Sequence, residues 1–98
     1  MENNSILAKV DYIMQAVLKK DDSSECLQNL RSLSKEHTDD MVLGRVFGWS
    51  ISDYAIAALK WINTDLTNTM FADEFDSLPD NRKQEVLELI AKELYKQY

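Results

Sequence analysis

The sequence predicts an all-α domain, and three observations carry that prediction. Only two glycines and one proline occur in 98 residues, whereas average composition would give about a dozen of the two types together. Apolar residues recur at the three- and four-residue steps of a helix along most of the chain. No run alternates as a strand does, and no Asn-Gly or Asp-Gly hairpin signal occurs. We therefore expect residues 1–98 to form a single domain, a compact bundle of four to five helices.

The first helix is expected to begin at Asn4 or Ser5, because either side chain can accept a backbone N–H at a helix start. Lys19 and Lys20 suit its end, where cations are favoured by the helix dipole. Its apolar residues fall on one face. They are Ile6, Leu7, Val10, Ile13, Met14, Val17 and Leu18.

A second helix is expected to open with a capping box at Asp22-Ser-Ser-Glu25 and to fade near Glu36 or His37. Its inward residues are Cys26, Leu27, Leu30 and Leu33. Thr38-Asp39-Asp40 offers a cap for a short third helix, which Gly48 ends in a tight helix corner. The apolar residues of this third helix are Met41, Val42, Leu43, Val46 and Phe47.

Ser50 and Asp53 predict the cap of a fourth helix that runs to about residue 72. Residues 63–65, Asn-Thr-Asp, can kink or split it, because such side chains compete for backbone hydrogen bonds. The last helix follows Ser77, with Pro79 placed in its first turn. Its apolar stripe is Val86, Leu87, Ile90 and Leu94, with Leu89 and Tyr95 beside it.

Composition limits the partners. The net charge of −6 disfavours binding to nucleic acid and anionic lipid, because such binding requires Lys and Arg at the phosphates. A basic protein is the better electrostatic match. The chain shows neither a signal peptide nor an apolar run long enough to span a membrane, and its single cysteine suits a reducing compartment. We expect a cytoplasmic protein with no membrane association.

Residues 43–54 have the outline of a helix-turn-helix, with Gly44 and Gly48 near the turn. A DNA-reading helix usually presents Arg, Lys, Asn or Gln at its N-terminal part. The second helix here would present serines, alanine and isoleucines, with Lys60 as its only basic residue. A DNA-binding regulator is therefore the least favoured binding hypothesis.

A long interval without basic residues, between Lys60 and Arg82, suggests a partner-binding surface. Acidic residues can steer a basic partner towards such a surface, and aromatic residues can anchor it. The candidate contact residues are Asp65, Phe71, Asp73, Glu74, Phe75, Asp76 and Asp80, with Trp49 at the corner. The alternative is a solvated segment whose phenylalanines face the core and whose acids complement a helix N-terminus.

Chemistry-bearing residues are few. Cys26 lies on an apolar face and is expected to be a buried hydrophobe rather than a nucleophile. His37 lies among Glu36, Asp39 and Asp40 but is one histidine with mobile carboxylates, which does not make a metal site. The chain has no phosphate-binding glycine loop, HExxH or CxxC motif. We expect no enzyme, no cofactor and no metal.

These observations favour a small acidic, non-enzymatic protein-binding module, such as an inhibitor, an immunity or antitoxin-like factor, or an adaptor. The alternative is a self-assembling structural or regulatory protein, for which Ile6, Ile13, Leu89 and Tyr95 would supply surplus apolar surface for a dimer.

Overall fold

The computed structural model describes residues 6–37 and 45–98. Within them lie five α-helices: α1 Ile6–Lys19, α2 Ser24–Leu33, α3 Ile51–Ile62, α4 Asp65–Asp76 and α5 Asp80–Lys92. A 3₁₀ turn follows at Leu94–Gln97. Two short strands, β1 Arg45–Val46 and β2 Trp49–Ser50, pair antiparallel before α3. The predicted all-α bundle is confirmed.

Helix α3 forms the centre of the bundle. All of its residues except Lys60 are buried, and α1, α2, α4 and α5 pack around it. Ala55, Ala57 and Ala58 are fully buried, and their small side chains let the neighbouring helices approach closely. A helix that is apolar on nearly every side is stable only when it is covered on every side.

The outer helices bury narrower stripes than the sequence predicts. Leu7 and Leu18 on α1 are 67% and 46% exposed, because they lie at the edge of the stripe that faces α3. On α5 the prediction assigned Leu87 to the stripe and Leu89 to its side. That assignment is wrong: Leu89 is fully buried and Leu87 is 48% exposed.

Caps explain where α2 begins. The predicted box at Asp22 and Glu25 is wrong, because Ser23 is the N-cap and its hydroxyl accepts from the Cys26 N–H at 3.3 Å. The Asp21 carboxylate accepts from the Ser23 N–H at 3.0 Å and holds the residue before the helix. Asn4 and Ser5, the predicted caps of the first helix, lie outside the described residues.

The predicted fourth helix is two helices. Its start is confirmed, because Ser50 and Asp53 form the expected capping box. It ends at Asn63, whose φ of 60° is the left-handed conformation that commonly ends helices. Thr64 then caps α4 through the Thr67 N–H at 3.2 Å. The split therefore falls within residues 63–65, as the sequence predicts.

Pro79 lies one position earlier than expected, at the N-cap of α5.

In the described part of this segment, a β-hairpin replaces the predicted third helix and its corner. Its cap at 38–40 and its residues 41–44 lie outside the described residues. Val46 belongs to a strand, and Phe47-Gly48 is the two-residue turn of a hairpin. Both turn residues have positive φ, 55° and 94°, the pattern of a type I′ turn. The Tyr54 hydroxyl donates to the Val46 carbonyl at 2.8 Å and ties the hairpin to α3.

The N-terminus of α3 is closed by buried polar groups. Asp53 is fully buried; its carboxylate accepts from the Ser50 N–H at 3.3 Å and from Arg82 Nη2 at 3.2 Å. The same Arg82 nitrogen donates to Ser52 Oγ at 2.7 Å, and Ser52 Oγ donates to the Ser34 carbonyl. Burial raises the pKa of Asp53, and the Arg82 guanidinium opposes that rise. These bonds join the ends of α2, α3 and α5.

Among the described residues, no helix combines the length and apolar character that crossing a membrane requires.

Replacing Arg82 by methionine should strongly destabilise the protein, because Asp53 would be left buried without its cation. We expect the free energy of unfolding to fall by about 3 kcal/mol, the usual effect of breaking a buried pair. Urea unfolding followed by circular dichroism measures this. Asn81→Ala is the control, since Asn81 is an exposed neighbour. Equal stability of the two variants would contradict the structural role of the pair.

Candidate functional site

Several chain segments meet at one end of the bundle, which we call the α3 pole. The Ser34 hydroxyl, just after α2, donates to Glu74 in the last turn of α4 at 3.0 Å. Arg45 of the hairpin donates to Glu85 of α5 at 3.0 Å. Together with the contacts around Asp53, these bonds place the hairpin, the C-terminus of α4 and the start of α5 together.

Three of the predicted acidic contact residues, Asp73, Asp76 and Asp80, are exposed at this pole. Asp73 and Asp76 lie in the last turn of α4, which contains no basic residue. Anions there face the negative end of the helix dipole and are disfavoured. The helix-capping explanation therefore accounts for Asp80, in the first turn of α5, but not for Asp73 and Asp76.

Asp65 and Glu74 differ from the other acids. Asp65 lies in the first turn of α4, roughly 15 Å from the pole by the rise of a helix. The Glu74 side chain is only 11% exposed; it accepts from Ser34 and from Lys35 at 3.0 Å and lies 3.8 Å from Arg31. Glu74 therefore ties α4 to the end of α2.

The predicted aromatic anchors Phe71 and Phe75 are half-buried and stacked, with ring centroids 5.1 Å apart. Lys60 lies 5.5 Å from the Phe71 ring centroid and Lys83 lies 5.7 Å from that of Phe75. The interval that lacks basic residues in sequence is thus flanked by lysines in space, and the two rings already have partners within the molecule.

Neither tryptophan side chain is fully exposed. Trp49 is half-buried against the core, and its indole N–H donates to the Glu85 carbonyl at 3.1 Å. Trp61 is 7% exposed and donates to the Ile90 carbonyl at 3.1 Å. Both indole N–H groups are therefore used within the fold.

Phe47 is the aromatic residue whose predicted position is wrong. The sequence predicts it among the apolar residues of a third helix, but it lies at the hairpin tip, 81% exposed and with a φ of 55°. This conformation is uncommon for any residue with a side chain and is an outlier for a bulky one. The available signal is Gly48 at a two-residue spacing between Val46 and Trp49, which both favour strands.

The helix-turn-helix hypothesis does not fit the position of α3. A recognition helix must present one face to the major groove. Ile51, Ser52, Asp53, Ala55 and Ile56 are all buried, so the N-terminal half of α3 has no face to present.

Cys26 is buried, and burial raises the pKa of its thiol, which makes it a poor nucleophile. The His37 ring lies 3.4 Å from Arg45 Nη2 and 4.0 Å from Glu85 Oε1, at the pole. In the part of the chain that the structure describes, no three His, Cys, Asp or Glu side chains converge as a metal site.

Two surface grooves flank α2. One, of about 270 Å³, is lined by Ala8, Lys9, Tyr12, Asn29, Ser32 and Leu33. The other, of about 320 Å³, is lined by Asp22, Ser24, Leu27, Gln28, Arg31, Leu66 and Met70. Neither groove includes Phe47 or any of the predicted contact residues.

Comparison with known proteins gave no match to a family model, to a curated protein or to a solved structure. Functional inference therefore depends on the contacts and exposures within this chain.

Replacing Phe47 by asparagine should stabilise the free protein, because Asn-Gly is the preferred pair for a type I′ turn. We expect the free energy of unfolding to rise by about 0.5–1 kcal/mol, or a few degrees in the melting temperature. Phe47→Ala is the control, since it removes the ring without a side chain suited to positive φ. An asparagine variant no more stable than the alanine variant would contradict the assigned turn.

Proposed function

We propose that this chain is a small acidic protein-binding module, non-enzymatic and cytoplasmic, that engages a basic partner through the α3 pole. Phe47 is the apolar anchor, and Asp73 and Asp76 are the principal acidic contacts. The single observation that carries the proposal is Phe47, a bulky aromatic side chain held 81% exposed in a left-handed turn conformation.

The anchor role follows from an energetic argument. A left-handed conformation costs a residue with a side chain about 1–2 kcal/mol, and the Phe47 ring, 81% exposed, buries little surface in return. Unfavourable backbone conformations tend to persist where function requires them. Aromatic side chains that enter a partner's pocket supply much of the binding free energy at protein interfaces. Burial of the Phe47 ring in such a pocket would offset its conformational cost.

The acidic role follows from the dipole of α4. Asp73 and Asp76 lie three residues apart in its last turn, where each disfavours the other and both are disfavoured by the helix. A basic partner surface would relieve that repulsion. Its electrostatic attraction to the pole would also raise the rate of association. Glu74 is left out of the contact set, because its carboxylate already joins α2 to α4.

The residues that the alternative hypothesis places at a dimer interface pack against the core of a single chain. Ile13 and Leu89 are fully buried, and Ile6 and Tyr95 pack against the same core. This burial favours a partner of different sequence over self-association, and the proposal is therefore a heterologous partner.

Phe47→Asn should weaken partner binding at least tenfold although the variant folds. The tagged wild type and variant are purified from the cell of origin at low salt, and the recovered proteins are identified and quantified. We expect one stoichiometric basic protein with the wild type and at least a tenfold loss with the variant, as for an interface hot spot. Leu87→Asn, which removes another exposed apolar side chain, should retain the partner. Equal recovery with Phe47→Asn would contradict the anchor role.

Replacing Asp73 and Asp76 together by asparagine should weaken the same complex and lower its sensitivity to salt. The free protein should be equally stable or slightly more stable, because two disfavoured charges leave the end of α4. The control is Asp11→Asn with Glu88→Gln, which removes two exposed charges elsewhere. Surface plasmon resonance at two salt concentrations separates the two pairs. A similar fall in association rate for both would show that only net charge matters.

A further inference from the structure

We infer that Glu85 on α5, acting through Arg45, is the positioning residue that holds the Phe47 turn in its binding conformation. The inference deepens the proposed function and rests on it for its biological meaning. Its structural part concerns the hairpin alone and can be tested without a partner.

Glu85 holds both strands of the hairpin. Its side-chain Oε2 accepts from Arg45 Nη1 at 3.0 Å, and its backbone carbonyl accepts from the Trp49 indole N–H at 3.1 Å. The Arg45 side chain, only 5% exposed, donates from the same Nη1 to the Gly48 carbonyl at 2.7 Å. One guanidinium nitrogen therefore links the turn that displays Phe47 to the α5 carboxylate.

The hairpin needs such an external support. Each strand has two residues, and an isolated two-stranded hairpin is marginally stable at best in water. The turn also carries Phe47 at a φ that the residue disfavours. The hydrogen bonds of Arg45 to Glu85 and to the Gly48 carbonyl, which we call the brace, supply this support. Without the brace, the turn would relax towards conformations that change the position of the Phe47 ring.

The brace is also joined to the buried cap of α3. Glu85 Oε1 lies 3.8 Å from Arg82 Nε, and Arg82 Nη2 contacts the fully buried Asp53. Glutamine at position 85 would keep the size of the side chain. It would remove the negative charge between two guanidinium groups and weaken the charge-assisted hydrogen bond to Arg45.

The test is amide hydrogen exchange in Glu85→Gln, with Glu88→Gln as the matched control. Glu88 lies one turn further along α5 and is exposed, so its replacement leaves the brace intact. We expect exchange at residues 45–50 to be roughly tenfold faster in Glu85→Gln, and exchange in α3 to match the control. Hairpin exchange equal to that of the control would overturn the inference.

A second variant distinguishes loosening of the hairpin from a general loss of stability. Arg45→Lys keeps the charge that faces Glu85, but lysine lacks the planar fork that serves the turn carbonyl and the carboxylate together. It should loosen the hairpin while α3 exchanges as in the wild type. Faster exchange of α3 and the hairpin alike, in both variants, would overturn the inference, because Glu85 would then support the whole fold.

Partner recovery distinguishes the two proposals. Both loosened variants should recover at least severalfold less of the basic protein than the Glu88→Gln control. A loosened hairpin with undiminished recovery would uphold the brace and overturn the role of Phe47 in binding.

Discussion

Burial of α3 on every side is the constraint on which the rest of the structure depends. A helix covered by four others cannot leave its first N–H groups to water, so the protein must supply their partners. The Ser50 hydroxyl, at the N-cap, accepts from the Asp53 N–H, and the Asp53 carboxylate accepts from the Ser50 N–H in return. Arg82 of α5 compensates the charge of that carboxylate. The ends of α2 and α5 meet the start of α3 at this pole as a consequence, and Glu74 ties the end of α4 to that of α2.

The α3 pole combines a hydrogen-bonded interior with an unfavourable surface. Inside it, Ser34, Ser52 and Arg82 form a connected set of hydrogen bonds. At its surface, the Phe47 backbone has a left-handed turn conformation. The Asp73 carboxylate lies at the C-terminal end of α4, where the helix dipole disfavours a negative charge. Local choices usually agree with the global fold, and departures from that agreement concentrate at functional sites. That contrast is why the binding surface is assigned to this pole rather than to a groove beside α2.

Local signals in the sequence were sufficient for most of the helical framework. The Ser50–Asp53 box and the break at Asn63 could be predicted because each involves a few adjacent residues with strong backbone preferences. The choice between Leu87 and Leu89 could not, since both lie near the edge of a periodic stripe and only the position of α3 decides between them. The hairpin is not predicted, because Phe-Gly is a poor type I′ pair and its apolar neighbours fit a helical period equally well.

The candidate site was predicted in part, for a similar reason. Sequence places Asp73 and Glu74 side by side, but a single helical step leaves Asp73 exposed and turns Glu74 towards Ser34 and Lys35. The sequence predicts Phe71 and Phe75 as anchors because they are aromatic and lie among acidic residues. In the fold their rings stack on each other, with lysines alongside. Contacts between distant segments decide these roles, and spacing along the chain does not encode them.

The most direct measurement is site-specific photocrosslinking in the cell of origin, with benzoylphenylalanine in place of Phe47. The same probe at Leu87, an exposed apolar position on α5, is the control. Binding through the α3 pole predicts one crosslinked basic protein from position 47, none from position 87, and competition by excess wild type but not by Phe47→Asn. Absence of a specific product at 47, or the same products at both positions, would contradict it.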